Sequence, residues 1–228
     1  MKYKDTAEAV FIKRNNRFSA DVMIGGVRET VHIKNTGRLK ELLTFGRIVI
    51  LERADNPERK TKYSLIAVRK WNEFVNIDSQ APNACAFEAV SDGRIKEIGL
   101  PDTVKREVVY GNSRFDIYYE RGGRKGFIEV KGVTLDDNKT ARFPDAPTER
   151  GRKHLRELEK AVSEGYECSA LFVIQMKNID GFEPNYKTDP DFAEELKRAK
   201  EKGVNILAYD CAVNEKTLDI DKKIPVIL

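Results

Sequence analysis

The sequence predicts a two-domain α/β protein: a small N-terminal β-barrel over residues 1–80, then an αβββαβ mixed-sheet domain over residues 81–228. Three observations predict it. The chain has 228 residues, 40% of them apolar, enough to bury two cores of ordinary size. Its first third breaks into short strands separated by turn residues. Beyond Pro82, helical and strand patterns alternate.

In the first part, strands are predicted over Glu8–Arg14 and Arg17–Ile24, with Asn15-Asn16 between them as a two-residue hairpin turn. Gly25-Gly26 gives a second such turn into Val27–Ile33. After Asn35-Thr36-Gly37, Leu39, Leu42 and Leu43 suit one face of a short helix over Arg38–Leu43. Arg47–Glu52 and Lys62–Arg69 supply two more apolar strands. Five strands with a helix between the third and fourth is the order of an OB barrel, and five strands also suit an SH3-like barrel.

The second part opens with a helix near Pro82–Val90. Strands follow at Lys105–Tyr110, Arg114–Arg121 and Arg124–Leu135, and then a polar loop at Asp136–Pro147. A helix over about Thr148–Glu164 buries Leu155, Leu158, Ala161 and Val162. Cys168–Gln175 is β-rich. Asp189 as N-cap, Pro190 at the first helical position and Gly203 at the end bracket another helix, and Asn205–Tyr209 reads as a strand.

Composition excludes several classes. No apolar run approaches the ~18 residues of a spanning helix, and the N-terminus carries no apolar signal core. Cys85, Cys168 and Cys211 are odd in number and widely spaced, which speaks against a disulfide framework or zinc ribbon and for a reducing cytoplasm. With two histidines in the chain, a metal site would rest mainly on carboxylates, hence on a hard ion such as Mg²⁺ or Mn²⁺. The net charge of +4 hides an asymmetry: residues 1–80 carry +6 and the remainder −2. That division suggests a polyanion-binding module joined to a carboxylate-rich one.

The chemistry concentrates in Arg114–Lys131. If Gly122-Gly123 forms a two-residue turn, Arg121 faces Arg124, Asp116 lies opposite Glu129, and Arg114 opposite Lys131. Strand alternation then puts Asp116, Glu129 and Lys131 on one face, and Phe115, Ile117, Tyr119, Ile128 and Val130 on a core face. Directly opposed carboxylates repel and call for a cation. A divalent ion would answer that need, with Lys131 placed to orient or activate a water for phosphodiester hydrolysis. The same residues also suit a solvated salt-bridge ladder with Arg114 and Lys131.

Glu129-Val130-Lys131, Phe143-Pro144-Asp145-Ala146, Thr148-Glu149-Arg150-Gly151 with Lys153-His154-Leu155, and Asn35-Thr36-Gly37 together resemble the sugar fermentation stimulation protein (SfsA) family. The resemblance extends to Ile206-Leu207-Ala208-Tyr209 and the terminal Pro225-Val226-Ile227-Leu228. It implies an N-terminal OB fold joined to a PD-(D/E)xK nuclease-like domain, with DNA as partner. Carried over residue by residue, the nuclease-like motif falls on Asp116, Glu129 and Lys131 as catalytic residues. Glu88 stands in place of an additional helix acid, so that Glu88, Asp116 and Glu129 would hold the metal. The chain departs from the pattern in having Arg114-Phe115-Asp116 where a Pro-Asp pair is usual.

Expected nucleic-acid contacts are Lys13, Arg14, Arg17, Lys34, Arg38 and Arg47 around the barrel's strand ends, with Phe11, Phe18, Tyr63 and Trp71 interspersed. Phe18 is expected in the barrel core. On the helix after Thr148, Arg152 and Lys153 could hold a phosphate and Glu149 could serve as an outer metal partner, while without the family resemblance a solvated helix face is the favoured reading. His154, beside the apolar stripe, reads as a hydrogen-bonded structural histidine. No helix-turn-helix or zinc finger is visible, so contact without operator specificity is expected. Two functions compete: a Mg²⁺-dependent nuclease, and a non-catalytic DNA-binding regulator of sugar-metabolism genes that keeps the nuclease-like fold. A carbohydrate-binding OB protein is a third, weaker reading.

Overall fold

The computed structural model describes every residue except Thr36, so the centre of the Asn35-Thr36-Gly37 motif lies outside the described residues. The chain forms two compact units. One comprises Met1–Ala81 with Gln175–Lys177 and Cys211–Asp219; the other comprises Pro82–Ile174, Asn178–Asp210 and Ile220–Leu228.

The first unit is built on β1 (Thr6–Arg14), β2 (Ser19–Ile24), β3 (Val27–Ile33), β4 (Ile48–Arg53), β5 (Tyr63–Lys70) and β6 (Glu73–Asn76). The sheet runs β3-β2-β1-β4-β5-β6 and closes through parallel pairing of β3 with β5 at His32↔Ser64 and Ile33↔Leu65. It is thus a closed five-strand barrel of OB type with β6 added at one edge. Its interior is filled by Phe11, Val22, Val31, Ile33, Val49, Leu51 and Leu65, all buried. Each such side chain contributes about 1.5–3 kcal/mol on burial.

The Gly25-Gly26 hairpin forms as expected, with Ile24 opposite Val27. The preceding turn does not. Arg14 pairs with Ala20, and residues 15–18 form a longer loop held by the Phe18 N–H donating to Asn16 Oδ1. Phe18 therefore sits on that loop outside β2 and is 54% exposed, not in the core. The helix expected at Arg38–Leu43 is a turn instead. Leu39 takes a left-handed backbone (φ 48°), and its carbonyl accepts from the N–H groups of Leu42 and Leu43. Leu39 and Leu42 are nevertheless buried, so the apolar pattern marked burial and not a helix.

The second unit contains α1 (Ala81–Ser91), β7 (Thr103–Tyr110), β8 (Ser113–Arg121), β9 (Arg124–Val133), β10 (Leu135–Asp137), β11 (Thr140–Phe143), α2 (Glu149–Ser163), β12 (Glu167–Ile174), β13 (Gly181–Pro184) and α3 (Pro190–Glu201). β14 (Asn205–Val213) and β15 (Leu218–Lys223) complete the chain. The main sheet has the order β15-β14-β12-β9-β8-β7; β7, β8 and β9 are antiparallel neighbours, and β12 is parallel to β9 and β14. The expected polar loop at Asp136–Pro147 instead contributes β10 and β11 to a small three-stranded sheet with β13.

The helices begin where their caps dictate. Thr148 Oγ1 accepts from the Gly151 N–H at 3.0 Å, and Asp189 Oδ1 accepts from the Phe192 N–H at 2.9 Å. Leu155, Leu158 and Ala161 of α2, and Phe192, Leu196 and Ala199 of α3, are the buried stripes. Among the described residues no helix is long and apolar enough to cross a membrane.

Candidate functional site

The Gly122-Gly123 turn, with φ of 54° and 81° at the two glycines, sets the register of β8 against β9. Pairing runs from Arg121↔Arg124 to Ile117↔Ile128 and stops there. A continued ladder would bring the Val130 N–H to the Phe115 carbonyl. Instead that N–H donates to Asp116 Oδ2 at 2.8 Å. On the other side, β7 pairs Arg106 with Ile117 and Val108 with Phe115, leaving Glu107 (φ 53°) and Asp116 out of the ladder.

This irregularity corrects the expected division of faces. The Phe115 ring lies 5.2 Å from Phe127 and 6.5 Å from His154, on the side of the sheet that carries Glu129. Strict alternation would have put it on the opposite side; the break at Asp116 interrupts that alternation. The carboxylate face is also no solvated surface, because Phe127 and Glu129 are both 3% exposed. The side chains of Ile117, Tyr119, Ile128 and Val130 fill the other face as expected.

Glu129 is held from two directions. Its Oε1 accepts from Lys131 Nζ at 2.6 Å and is bonded to His154 Nδ1. Its Oε2 is buried and has no hydrogen-bond partner. A buried carboxylate oxygen left bare costs about 1–3 kcal/mol or more, so its retention requires an explanation. Burial works to raise the Glu129 pKa, but the His154 hydrogen bond and the Lys131 charge together hold it below the ordinary carboxylate range. Asp116 behaves oppositely. Burial first and the Glu129 charge second push its carboxyl up to about 6, against the opposing pull of the Val130 N–H, Lys131 and Asn83.

The structure thus brings together Asp116, Glu129 and Lys131. It adds two residues that sequence reasoning did not place there. Asn83, on α1, donates from Nδ2 to Asp116 Oδ1 at 2.6 Å. His154, read from the sequence as structural, is 6% exposed and bound to Glu129. Glu88 lies five residues beyond Asn83 on the same helix, about 140° around its axis from the residue that meets Asp116. Among the described residues no three His, Cys, Asp or Glu side chains form a metal-holding group. The expected three-carboxylate set of Glu88, Asp116 and Glu129 is therefore reduced to two. Arg114 does not enter the gap; it pairs with Glu107 at 3.2 Å.

A single hard cation fits this donor set. Mg²⁺ characteristically binds through one or two carboxylates and fills its remaining positions with water and substrate phosphate. The bare Glu129 Oε2 is an oxygen that could ligate such an ion, with the Asp116 carboxylate as its neighbour.

The expected polyanion contacts divide into two groups. Three are spent within the fold. Arg14 donates to the carbonyls of Asn16, Gly37, Arg38, Arg17 and Asn35, at 2.7–3.0 Å. Lys34 bridges Glu52 at 3.1 Å and Asp78 at 3.0 Å. Arg152 joins the α3 cap, 3.2 Å from Asp189 and 2.9 Å from Asp191. The others present cationic surface: Lys13, Arg17 and Arg38 are exposed, and Arg47 is half-buried beside Thr44. Lys153 is exposed on α2, its Nζ donating to the Asn112 carbonyl at 3.0 Å, and Glu149 is exposed at the start of that helix.

Comparison with known proteins agrees with this architecture. The SfsA N-terminal OB domain matches residues 12–77, and the sugar fermentation stimulation protein RE domain matches residues 80–217. A sugar fermentation stimulation protein homolog from Alkaliphilus oremlandii is 51% identical over 231 residues, covering 99% of this chain and 98% of its own. One from Clostridium beijerinckii is 50% identical over the full length of both. The solved structure of Pyrococcus furiosus SfsA in complex with Ca²⁺ superposes with a TM-score of 0.89 at 29% identity, covering 100% of this chain and 98% of that one. The chain belongs to the sugar fermentation stimulation protein (SfsA) family.

Proposed function

We propose that this protein binds DNA through its barrel unit and that Asp116 and Glu129 hold a Mg²⁺ or Mn²⁺ ion for phosphodiester hydrolysis. One observation carries the metal site: the buried, partnerless Glu129 Oε2 next to a carboxylate whose pKa is raised first by burial and second by the Glu129 charge. The Ca²⁺ bound by the Pyrococcus furiosus relative supports it, since Ca²⁺ and Mg²⁺ share a preference for oxygen ligands.

When bound, such an ion supplies Lewis acidity and lowers the pKa of a coordinated water. The chain's residues do the rest. His154 fixes the Glu129 carboxylate through Nδ1, leaving Oε2 as its open oxygen. Asn83 donates to Asp116 Oδ1 and the Val130 N–H to Oδ2, so both oxygens of that carboxylate are oriented. Lys131 Nζ, anchored on Glu129 Oε1, brings a proton donor and a positive charge to the place where negative charge builds on a cleaved phosphate. Burial of the pair limits competing water and strengthens each of these interactions.

A second reading, the non-catalytic DNA-binding regulator of sugar-metabolism genes, is favoured by the two-carboxylate count among the described residues. Cleavage separates the two. Purified protein incubated with supercoiled and single-stranded DNA should cut with Mg²⁺ or Mn²⁺ and not with EDTA, and Glu129→Gln should abolish cutting while sparing DNA binding. Salt-sensitive binding without cleavage of any DNA form in either ion would leave the regulator.

A further inference from the structure

Trp71 is the chain's single tryptophan, and it is 87% exposed. It occupies the tight turn between β5 and β6, flanked by the Lys70↔Glu73 pair. Its φ of 58° is left-handed, a region in which a bulky side chain costs about 1–2 kcal/mol and where Gly or Asn would sit without strain. No buried surface compensates for that cost in an exposed indole. Trp71 shares a shallow recess of about 330 Å³ with Arg47, Ile48 and Arg69. The two guanidinium groups are fixed: Arg47 Nε donates to Thr44 Oγ1 at 2.8 Å, and Arg69 stacks 5.1 Å over the Phe74 ring. Among the described residues no carboxylate lines the recess. Two residues before Arg47, Phe45 is 81% exposed.

A flat aromatic ring presented to solvent beside two ordered arginines, without an acid, matches a base with its phosphates. A duplex keeps its base faces stacked and unavailable; a single strand offers them. We infer that the recess of Arg47, Ile48, Arg69 and Trp71 is a stacking subsite for an unpaired nucleotide, giving the barrel a preference for single-stranded nucleic acid. This deepens the reading of the barrel unit as the nucleic-acid-binding part, and rests on it.

The tryptophan is its own reporter. Full-length protein is titrated with a fluorescein-labelled 12-nucleotide oligo(dT) and with a 12-base-pair duplex, and label anisotropy and intrinsic Trp emission are followed together. The single strand is expected to quench Trp71 emission and to bind more tightly than the duplex. Trp71→Asn removes the ring and suits the left-handed backbone, so the fold is retained; it should weaken oligo(dT) binding by roughly tenfold, the loss of one stacked base. Trp71→Phe should keep most of the affinity. Oligonucleotide binding seen by anisotropy with unchanged Trp71 emission and an unaffected Asn variant overturns the subsite and leaves DNA binding by the barrel standing. Equal affinity and equal quenching by duplex overturns the single-strand preference. Absence of binding to either probe overturns both the subsite and the reading beneath it.

Discussion

Asp116→Asn isolates the charge strain at the candidate centre. The amide keeps the shape of the carboxylate, and its oxygen can still accept from the Val130 N–H, 2.8 Å away in the parent. Its nitrogen then faces Asn83, whose amide can rotate to accept. Only the charge is lost. In the folded protein the Asp116 carboxyl titrates at about 6 against an ordinary 3.8. The folded state therefore holds its proton more tightly than the unfolded state between those two values, and stability falls as pH rises through them. Below about pH 4 the carboxyl is neutral in both states and the cost is absent; above about pH 6 it is fully present, at roughly 3 kcal/mol. In metal-free buffer, Asp116→Asn is thus expected to stabilise the protein at pH 8 by up to about 3 kcal/mol, a rise in Tm of about 6–12 °C. At pH 4 the gain should vanish. Thermal unfolding of both proteins in EDTA, at half-unit steps from pH 4 to pH 8, measures this directly. A variant less stable than the parent at pH 8, or a difference independent of pH, would refute the claim that Asp116 carries an uncompensated charge.

Two further outcomes test the division between structural and surface cations. Arg14→Ala removes five hydrogen bonds to loop carbonyls and should destabilise the barrel unit by about 1–3 kcal/mol in urea titrations, carried mainly by the two partly screened bonds to Gly37 and Asn35. Alanine replacement of Lys13, Arg17 and Arg38, all exposed, should leave stability nearly unchanged. The same triple variant should lower the salt dependence of DNA affinity, reducing the slope of log K against log salt by about 2–3.

The features legible in the sequence were those set by local chemistry. Gly122-Gly123 dictated a two-residue turn, and the register from Arg121↔Arg124 to Ile117↔Ile128 followed. Asp189-Pro190 announced a helix start because caps act within one turn. What escaped depended on contacts distant in the chain. Arg14 resembled any surface cation, since three of its five acceptors, the carbonyls of Asn35, Gly37 and Arg38, come from a different loop. Phe18 was misplaced because Asn15-Asn16 looked like a complete turn, whereas the loop runs to Phe18. That Asn83 meets Asp116 is a matter of helix phase, which α1 takes from packing such as Phe87 under Arg106, with 4.1 Å from the guanidinium to the ring centre. Short β10, β11 and β13 carry too few apolar residues to show a period of two, and pairing with one another makes them strands. The Glu129–His154 contact joins a strand to a helix across 25 positions, and the one available signal was the histidine's place next to the apolar stripe of α2.

Calorimetric titration of the metal-free protein with Mn²⁺ at pH 7.5 tests the shared-cation centre most directly. One ion should bind per chain in the parent, and that binding should disappear in Glu129→Gln, which keeps the carboxylate's shape but loses its charge. Equal Mn²⁺ binding by the parent and the variant, or no binding by the parent, would contradict the assignment of Asp116 and Glu129 as the ligands of a divalent ion.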